Sequence, residues 1–213
     1  ATFKAKTFDE LFEKTKAVNW RSFIPENGKF PVIGKSVKST LASVPDCQRI
    51  VKKAIVEKLK LQSGKANDWI EETGAEYKVE ISLLKDQAVI TLDTSGTGLH
   101  KRGYRVDQGG APIKETLAAA LVQLTNWTPD RPFVDPFCGS GTIAIEAALI
   151  GQNIAPGFNR DFVSEDWEWI GKDLWDKARL EVEEKANYDQ PLTIFASDVD
   201  HRMVQIAKEN AEE

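Results

Sequence analysis

The stretch Phe133-Val134-Asp135-Pro136-Phe137-Cys138-Gly139-Ser140-Gly141-Thr142 decides how this chain folds. Two strand-forming residues run into an acid and a proline, a Gly-Ser-Gly turn follows, and Ile143, Ala144, Ile145, Ala147, Ala148 and Leu149 continue as a helical apolar run. The pattern predicts strand, tight loop, helix. Glycines in such a loop let the backbone turn sharply and let a ligand lie directly against it. In doubly wound α/β sheets, the crevice at the carboxyl end of the first strand takes nucleotide-like ligands. A carboxylate ahead of the glycines repels a pyrophosphate but suits a ligand carrying an ammonium or sulfonium charge. S-adenosylmethionine carries both. A nicotinamide or flavin site, and a turn with no ligand, are the alternatives this stretch leaves open.

The charge is unevenly spread. Residues 1–105 hold 19 Lys and Arg against 13 Asp and Glu, a balance of +6; the remainder holds 9 against 20, a balance of −11. A basic first half beside an acidic second half fits an RNA-contacting module joined to a catalytic one. The two cysteines, Cys47 and Cys138, form no C-x-x-C pair, which argues against a metal site or a disulfide framework. No apolar run approaches the ~18 residues of a membrane span, and no signal-like start is present. A cytoplasmic protein is expected.

Taken in order, Thr7 with Glu10 three residues on reads as a capping box opening a helix near residues 8–18. A turn at Glu26 to Lys29 leads into an extended segment, Phe30 to Ser39, that carries Lys35 and Lys38. Pro45-Asp46 opens a helix with an apolar face of Ile50, Val51, Ala54, Ile55 and Leu59, and with Arg49, Lys52, Lys53, Lys58 and Lys60 elsewhere on it. Five cations on one helix make either a phosphate-contacting surface or a solvated face. Tyr77, Val79, Ile81 and Leu83 then alternate with polar residues, Lys85-Asp86 turns, and Ala88 to Asp93 returns as the second strand of a hairpin.

Leu99-His100-Lys101-Arg102-Gly103-Tyr104-Arg105 packs three cations, a His and a Tyr into seven residues, a pattern that can hold phosphate and stack on a base. Pro112 is read as opening the helix that continues to Leu124, a helix that in most such folds covers the sheet. Trp167, Trp169 and Trp175 lie in an acidic, helix-like interval and fit packing better than base stacking, which would want accompanying cations. Leu192 to Ala196 is a second strand. Asp198 at its end is placed to accept from ribose hydroxyls, while Asp200 can do the same or cap the helix after it.

Two resemblances sharpen this reading. Lys35-Ser36-Val37-Lys38-Ser39, Val44-Pro45-Asp46-Cys47-Gln48-Arg49 and the hairpin resemble a THUMP domain, an RNA-binding module of tRNA and rRNA modification enzymes. Asp135 through Thr142 resembles the first motif of class I methyltransferases, in the variant found in enzymes that methylate exocyclic amino groups of nucleic acids. Together with Ser197 through Asp200, the chain resembles THUMP-containing RNA N-methyltransferases related to the large-subunit rRNA guanine-N2 methyltransferases.

The resemblance implies an α+β THUMP domain over residues 1–100, its beginning missing. It also implies the N-terminal part of a Rossmann-like α/β methyltransferase domain over 101–213. It implies S-adenosylmethionine held by Asp135, Pro136, Phe137, Cys138, Gly139, Ser140, Gly141, Asp198, Val199 and Asp200. RNA would meet Lys35, Lys38, Arg49, Lys52, Lys53, His100, Lys101, Arg102, Tyr104 and Arg105. The expected reaction is methylation of an exocyclic base amine, guanine N2 of rRNA first, with ribosomal RNA ranked ahead of transfer RNA and no metal or membrane involved. The alternative is an RNA-binding module with a structural Rossmann-like half. Such enzymes carry an (Asn/Asp)-Pro-Pro-(Tyr/Phe) loop, and no Pro-Pro occurs here. The catalytic residues are therefore expected beyond Glu213, and the chain reads as a piece of the enzyme.

Overall fold

The computed structural model describes residues 1–63, 70–106 and 112–213. Two compact units divide them: residues 1–96 with 162–171, and residues 97–161 with 172–213.

The first unit is a four-stranded sheet covered by two helices. In chain order come β1 (Thr2–Lys4), α1 (Phe8–Lys16), a 3-10 turn at Trp20–Ser22, β2 (Val32–Val37), α2 (Val44–Ser63), β3 (Val79–Leu84) and β4 (Gln87–Leu92). The sheet order is β1-β4-β3-β2, with β2 parallel to β3 and the other pairs antiparallel. A parallel neighbour needs a long crossover, which α2 supplies.

Local chemistry sets the element ends. Thr7 Oγ1 accepts from Glu10 N at 3.1 Å, while Glu10 reaches back to Lys6 N at 2.7 Å, one residue ahead of the expected capping box. Lys85 and Asp86 both take left-handed φ, 50° and 63°, the geometry that matches the twist of a two-residue hairpin. The predicted faces of β3 and α2 close on each other: Val79, Ile81, Leu83, Val51, Ala54, Ile55 and Leu59 are buried, with Ile50 partly so.

Trp167 belongs to this same core, at 1% exposure. The packing expected of the Trp-rich interval holds for Trp167, while the expected helix forms only over its later part, around Trp175. A 3-10 turn at Val163–Asp166 precedes Trp167, and helix starts only beyond Gly171, over Lys172–Lys185. Trp167 and Trp169 are held instead by ring contacts and by Nε1 bonds to the Glu76 and Phe23 carbonyls.

The second unit contains α3 (Glu115–Leu124), β5 (Phe133–Asp135), α4 (Thr142–Gly151), α5 (Lys172–Lys185), β6 (Ile194–Ala196) and α6 (His201–Glu212). Strands β5 and β6 pair in parallel, Asp135 opposite Ala196. The α3 helix begins later than its sequence suggests: Lys114 is the extended cap residue, so Pro112 stands outside the first turn. The fold is thus the expected α+β first unit followed by a Rossmann-like α/β second unit. Among the described residues no helix is long and apolar enough to cross a membrane, and no group of three metal-ligating side chains forms. Cys47 is buried in the first core, where desolvation pushes its thiol up.

Candidate functional site

The site is built where β5 and β6 end side by side. Parallel pairing carries the two chain ends out together, and cross-links continue past the strands: Ser197 N donates to Asp135 O at 2.9 Å and Cys138 N to Ser197 O at 2.8 Å. Beyond them, the Asp198 carboxylate accepts from Gly139 N through Oδ2 and from Asp200 N through Oδ1, both at 2.9 Å. The second acid therefore braces the glycine loop directly. Asp200 takes the capping role: its side chain accepts from Arg202 N at 2.9 Å and pairs with the Arg202 guanidinium.

Inside the loop, Gly139 and Gly141 have φ of 52° and 83°. A Cβ on Gly141 would lie 2.9 Å from the Ala207 Cβ, so the helix behind it requires glycine. A Cβ on Gly139 would meet nothing within 4 Å, so open space lies over the backbone there. Beside it Asp135 is nearly buried. Its Oδ1 accepts weakly from Phe137 N at 3.3 Å, and its Oδ2 is shut from solvent with no hydrogen-bond partner. A buried carboxylate oxygen left unpaired costs about 1–3 kcal/mol, and Asp135 stands at the end of β5, just ahead of the loop in which Gly139 faces open space. The Cys138 thiol is driven up by burial and by the Asp135 and Asp198 carboxylates, which keeps it neutral. Phe137 and Val199 stand 86% and 96% exposed at the two strand ends, apolar surface beside the cradle.

The basic junction turns inward. Arg102 Nε lies 3.3 Å from Glu146 Oε1, and the Tyr104 hydroxyl donates to the same oxygen at 3.1 Å. Arg105 Nε sits 2.9 Å from Glu115 Oε1 as an ion pair, and its Nη2 donates to Thr142 Oγ1 at 3.0 Å and Ile113 O at 3.3 Å. Glu146 is buried, and desolvation raises its carboxyl above the ordinary range despite Arg102 and Tyr104, with Glu115 adding to the rise. Burial, and then the Glu146 charge, push the Tyr104 phenol far up. His100, Lys101, Arg102, Arg105 and Lys114 line a cleft of about 420 Å³ on the same unit. A second cavity, about 560 Å³, lies against α4 and α6; its lining is mostly apolar, including Ile145, Leu149 and Val204, with Lys208 and Glu213 among its polar members.

On the first unit, Arg49, Lys52 and Lys53 line one shallow hollow with Gln48. Arg49 pairs with Asp46 and is 79% exposed. Lys52 is committed inward, to Glu72, the Phe30 carbonyl at 2.9 Å and the Phe30 ring at 3.6 Å. Lys53 lies over Phe12, Lys35 pairs with Glu80 at 2.6 Å, and Lys38 is exposed.

Three functional-looking residues carried no assigned role in the sequence. Glu146 was visible as an acid inside an apolar helix, a position that demands a partner. Thr142, the last residue of the motif, and Asn210, on an amphipathic helix, gave no such signal.

Comparison with known proteins agrees with this architecture. Residues 102–213 match the model of the RMKL-like methyltransferase domain and residues 5–93 that of the THUMP domain. The chain is 97% identical over 213 residues to a Bacillus subtilis (strain 168) protein named "Putative RNA methyltransferase YpsC", covering 55% of it. It is 64% identical, with a TM-score of 0.96, to a Listeria monocytogenes structure titled a "predicted N6-adenine-specific DNA methylase", covering 56% of that chain. It is 52% identical, with a TM-score of 0.94, to "SMU.472, a putative methyltransferase complexed with SAH", again covering 56%. The chain thus spans about half the length of these relatives. With residues 102–213 matching the methyltransferase model and residues 5–93 the THUMP model, the chain belongs to the RMKL-like methyltransferase family.

Proposed function

We propose that the chain carries the cofactor half and an RNA-contacting module of an S-adenosylmethionine-dependent enzyme that methylates an exocyclic base amine in RNA, guanine N2 of ribosomal RNA being the first candidate. The observation that carries this reading is the open space over the left-handed Gly139 backbone, in a loop that follows Asp135 at the end of β5 and donates from Gly139 N to the Asp198 carboxylate. A cationic ligand with an adenosine end fits that donor set, and one solved relative is titled as a complex with S-adenosylhomocysteine.

In this reading Asp135 holds the ammonium group and the backbone from Gly139 to Gly141 cradles the amino-acid end. Asp198 has a second lone pair on each oxygen for ribose hydroxyls, and Phe137 and Val199 offer apolar surface to the purine. When bound, the cofactor supplies an electrophilic sulfonium methyl. The protein's contribution is to hold donor and amine in line, so positioning accounts for most of the rate gain. Lys101 and Lys114 in the cleft, with Lys38 and Arg49 on the first unit, offer exposed cations to RNA phosphates.

The test uses the intact protein. S-adenosylhomocysteine is titrated calorimetrically into wild type, Asp135→Ala and Asp198→Ala, and labelled methyl transfer to RNA and DNA is followed by nucleoside analysis. Saturable binding lost in both variants, with N2-methylguanosine formed in RNA, supports the proposal. N6-methyladenine in DNA, the product that the name of the Listeria relative implies for that protein, would replace the substrate. RNA binding without cofactor binding would leave the second unit structural.

A further inference from the structure

Asn210 is 1% exposed, on the last turns of α6. A buried carboxamide is costly unless its groups are hydrogen-bonded. Here both ends are used, on partners distant in sequence. Oδ1 accepts from the Val106 amide at 2.8 Å, and Nδ2 donates to the Ser140 carbonyl at 3.1 Å. Ser140 is the centre of the Gly-Ser-Gly turn, and Val106 follows Arg105, whose guanidinium donates to Thr142 Oγ1 at the end of that turn. The turn is thereby tied to the 105–106 segment at two points. Its contact with the ribose-side acid, Gly139 N to Asp198 Oδ2, is made separately.

We infer that Asn210 is a positioning residue for the amino-acid end of the methyl donor. It touches no ligand; it fixes the Ser140 carbonyl and so the path of the backbone from Gly139 to Gly141. The inference rests on the cofactor reading above. Asn210→Asp keeps the shape and the acceptor for Val106 but turns an oxygen towards the Ser140 carbonyl, so the turn is pushed out of place with the rest of α6 intact.

The test is a pair of ligands on the intact protein: S-adenosylhomocysteine, and 5′-methylthioadenosine, which has the adenosine and sulfur but no amino-acid end. In Asn210→Asp and Asn210→Ala, affinity for the first falls about tenfold or more, the worth of one good hydrogen bond to a charged group, while affinity for the second is unchanged. A merely structural role would lower both alike. Parallel loss, or no loss, overturns the inference while leaving the cofactor reading standing. Wild type that binds neither ligand overturns both. Should the variants not fold, exchange of the Val106 amide in wild type decides: S-adenosylhomocysteine slows it and 5′-methylthioadenosine does not, and equal slowing by both, or by neither, overturns the inference.

Discussion

Trp167 stacks on Tyr77 with ring centroids 4.9 Å apart and an interplanar angle of 20°, and its Nε1 donates to the Glu76 carbonyl at 2.9 Å. An indole from within the methyltransferase stretch thus completes the core of the first unit. Removing it leaves a cavity that a closed core fills poorly, so Trp167→Ala is expected to cost about 3–5 kcal/mol. Trp169, 53% exposed, should cost clearly less. Hydrogen exchange over β3 and β4 measures both; equal losses would remove Trp167 from its place in the core.

The two glycines of the turn separate strain from ligand space. Gly139→Ala adds a methyl to open space and pays only the left-handed backbone, about 1–2 kcal/mol. Its fold should survive while S-adenosylhomocysteine affinity collapses, because the methyl occupies the cradle. Gly141→Ala meets Ala207 as well as strain and should destabilise more. Melting temperature and calorimetric affinity on the same samples check this; a Gly139→Ala variant that binds normally would show that the ligand does not lie on that backbone.

What was legible in the sequence was local. Lys85-Asp86 between alternating strands and Thr7 ahead of Glu10 are short-range patterns whose physics involves neighbours only, and the structure realises them with one shift, Glu10 reaching to Lys6. The loop Asp135 to Thr142 was legible because its glycines and acid are contiguous. Arg102, Tyr104 and Arg105 looked like an outward basic patch because their partners, Glu146 and Glu115, come from other elements. Asn210 was hidden for the same reason, as Val106 and Ser140 lie on other parts of the chain.

Exposed and committed cations should behave differently towards RNA. Lys101 and Lys114 are exposed in the cleft, whereas Lys52 is engaged by Glu72 and Phe30. Each phosphate contact adds about one unit to the slope of log affinity against log salt. Lys101→Gln and Lys114→Gln should each lower that slope by about one without changing S-adenosylhomocysteine affinity, and Lys52→Gln should lower stability more than slope. Filter binding across a salt series reads this out. An unchanged slope in both cleft variants would move the RNA path away from residues 100–115.

Buried Glu146 gives stability a definite pH dependence. Desolvation, chiefly, holds its carboxyl above the unfolded value of 4.5, against the pull of Arg102 and Tyr104. A carboxyl whose folded pKa is raised binds its proton more tightly in the native state, so its contribution to stability falls as pH rises from the unfolded pKa through the folded one. Glu146→Gln retains an acceptor for the Tyr104 hydroxyl and has no proton to lose. At pH below 4.5 the variant and wild type should be equally stable with respect to this group. The variant should gain on wild type as pH rises through the window, and the gain should level off once Glu146 is ionised in both states. Urea unfolding at a series of pH values measures the difference. A difference that stays flat would mean that Arg102 and Tyr104 fully offset the cost of burying the carboxylate, and one that favours wild type as pH rises would mean that they exceed it.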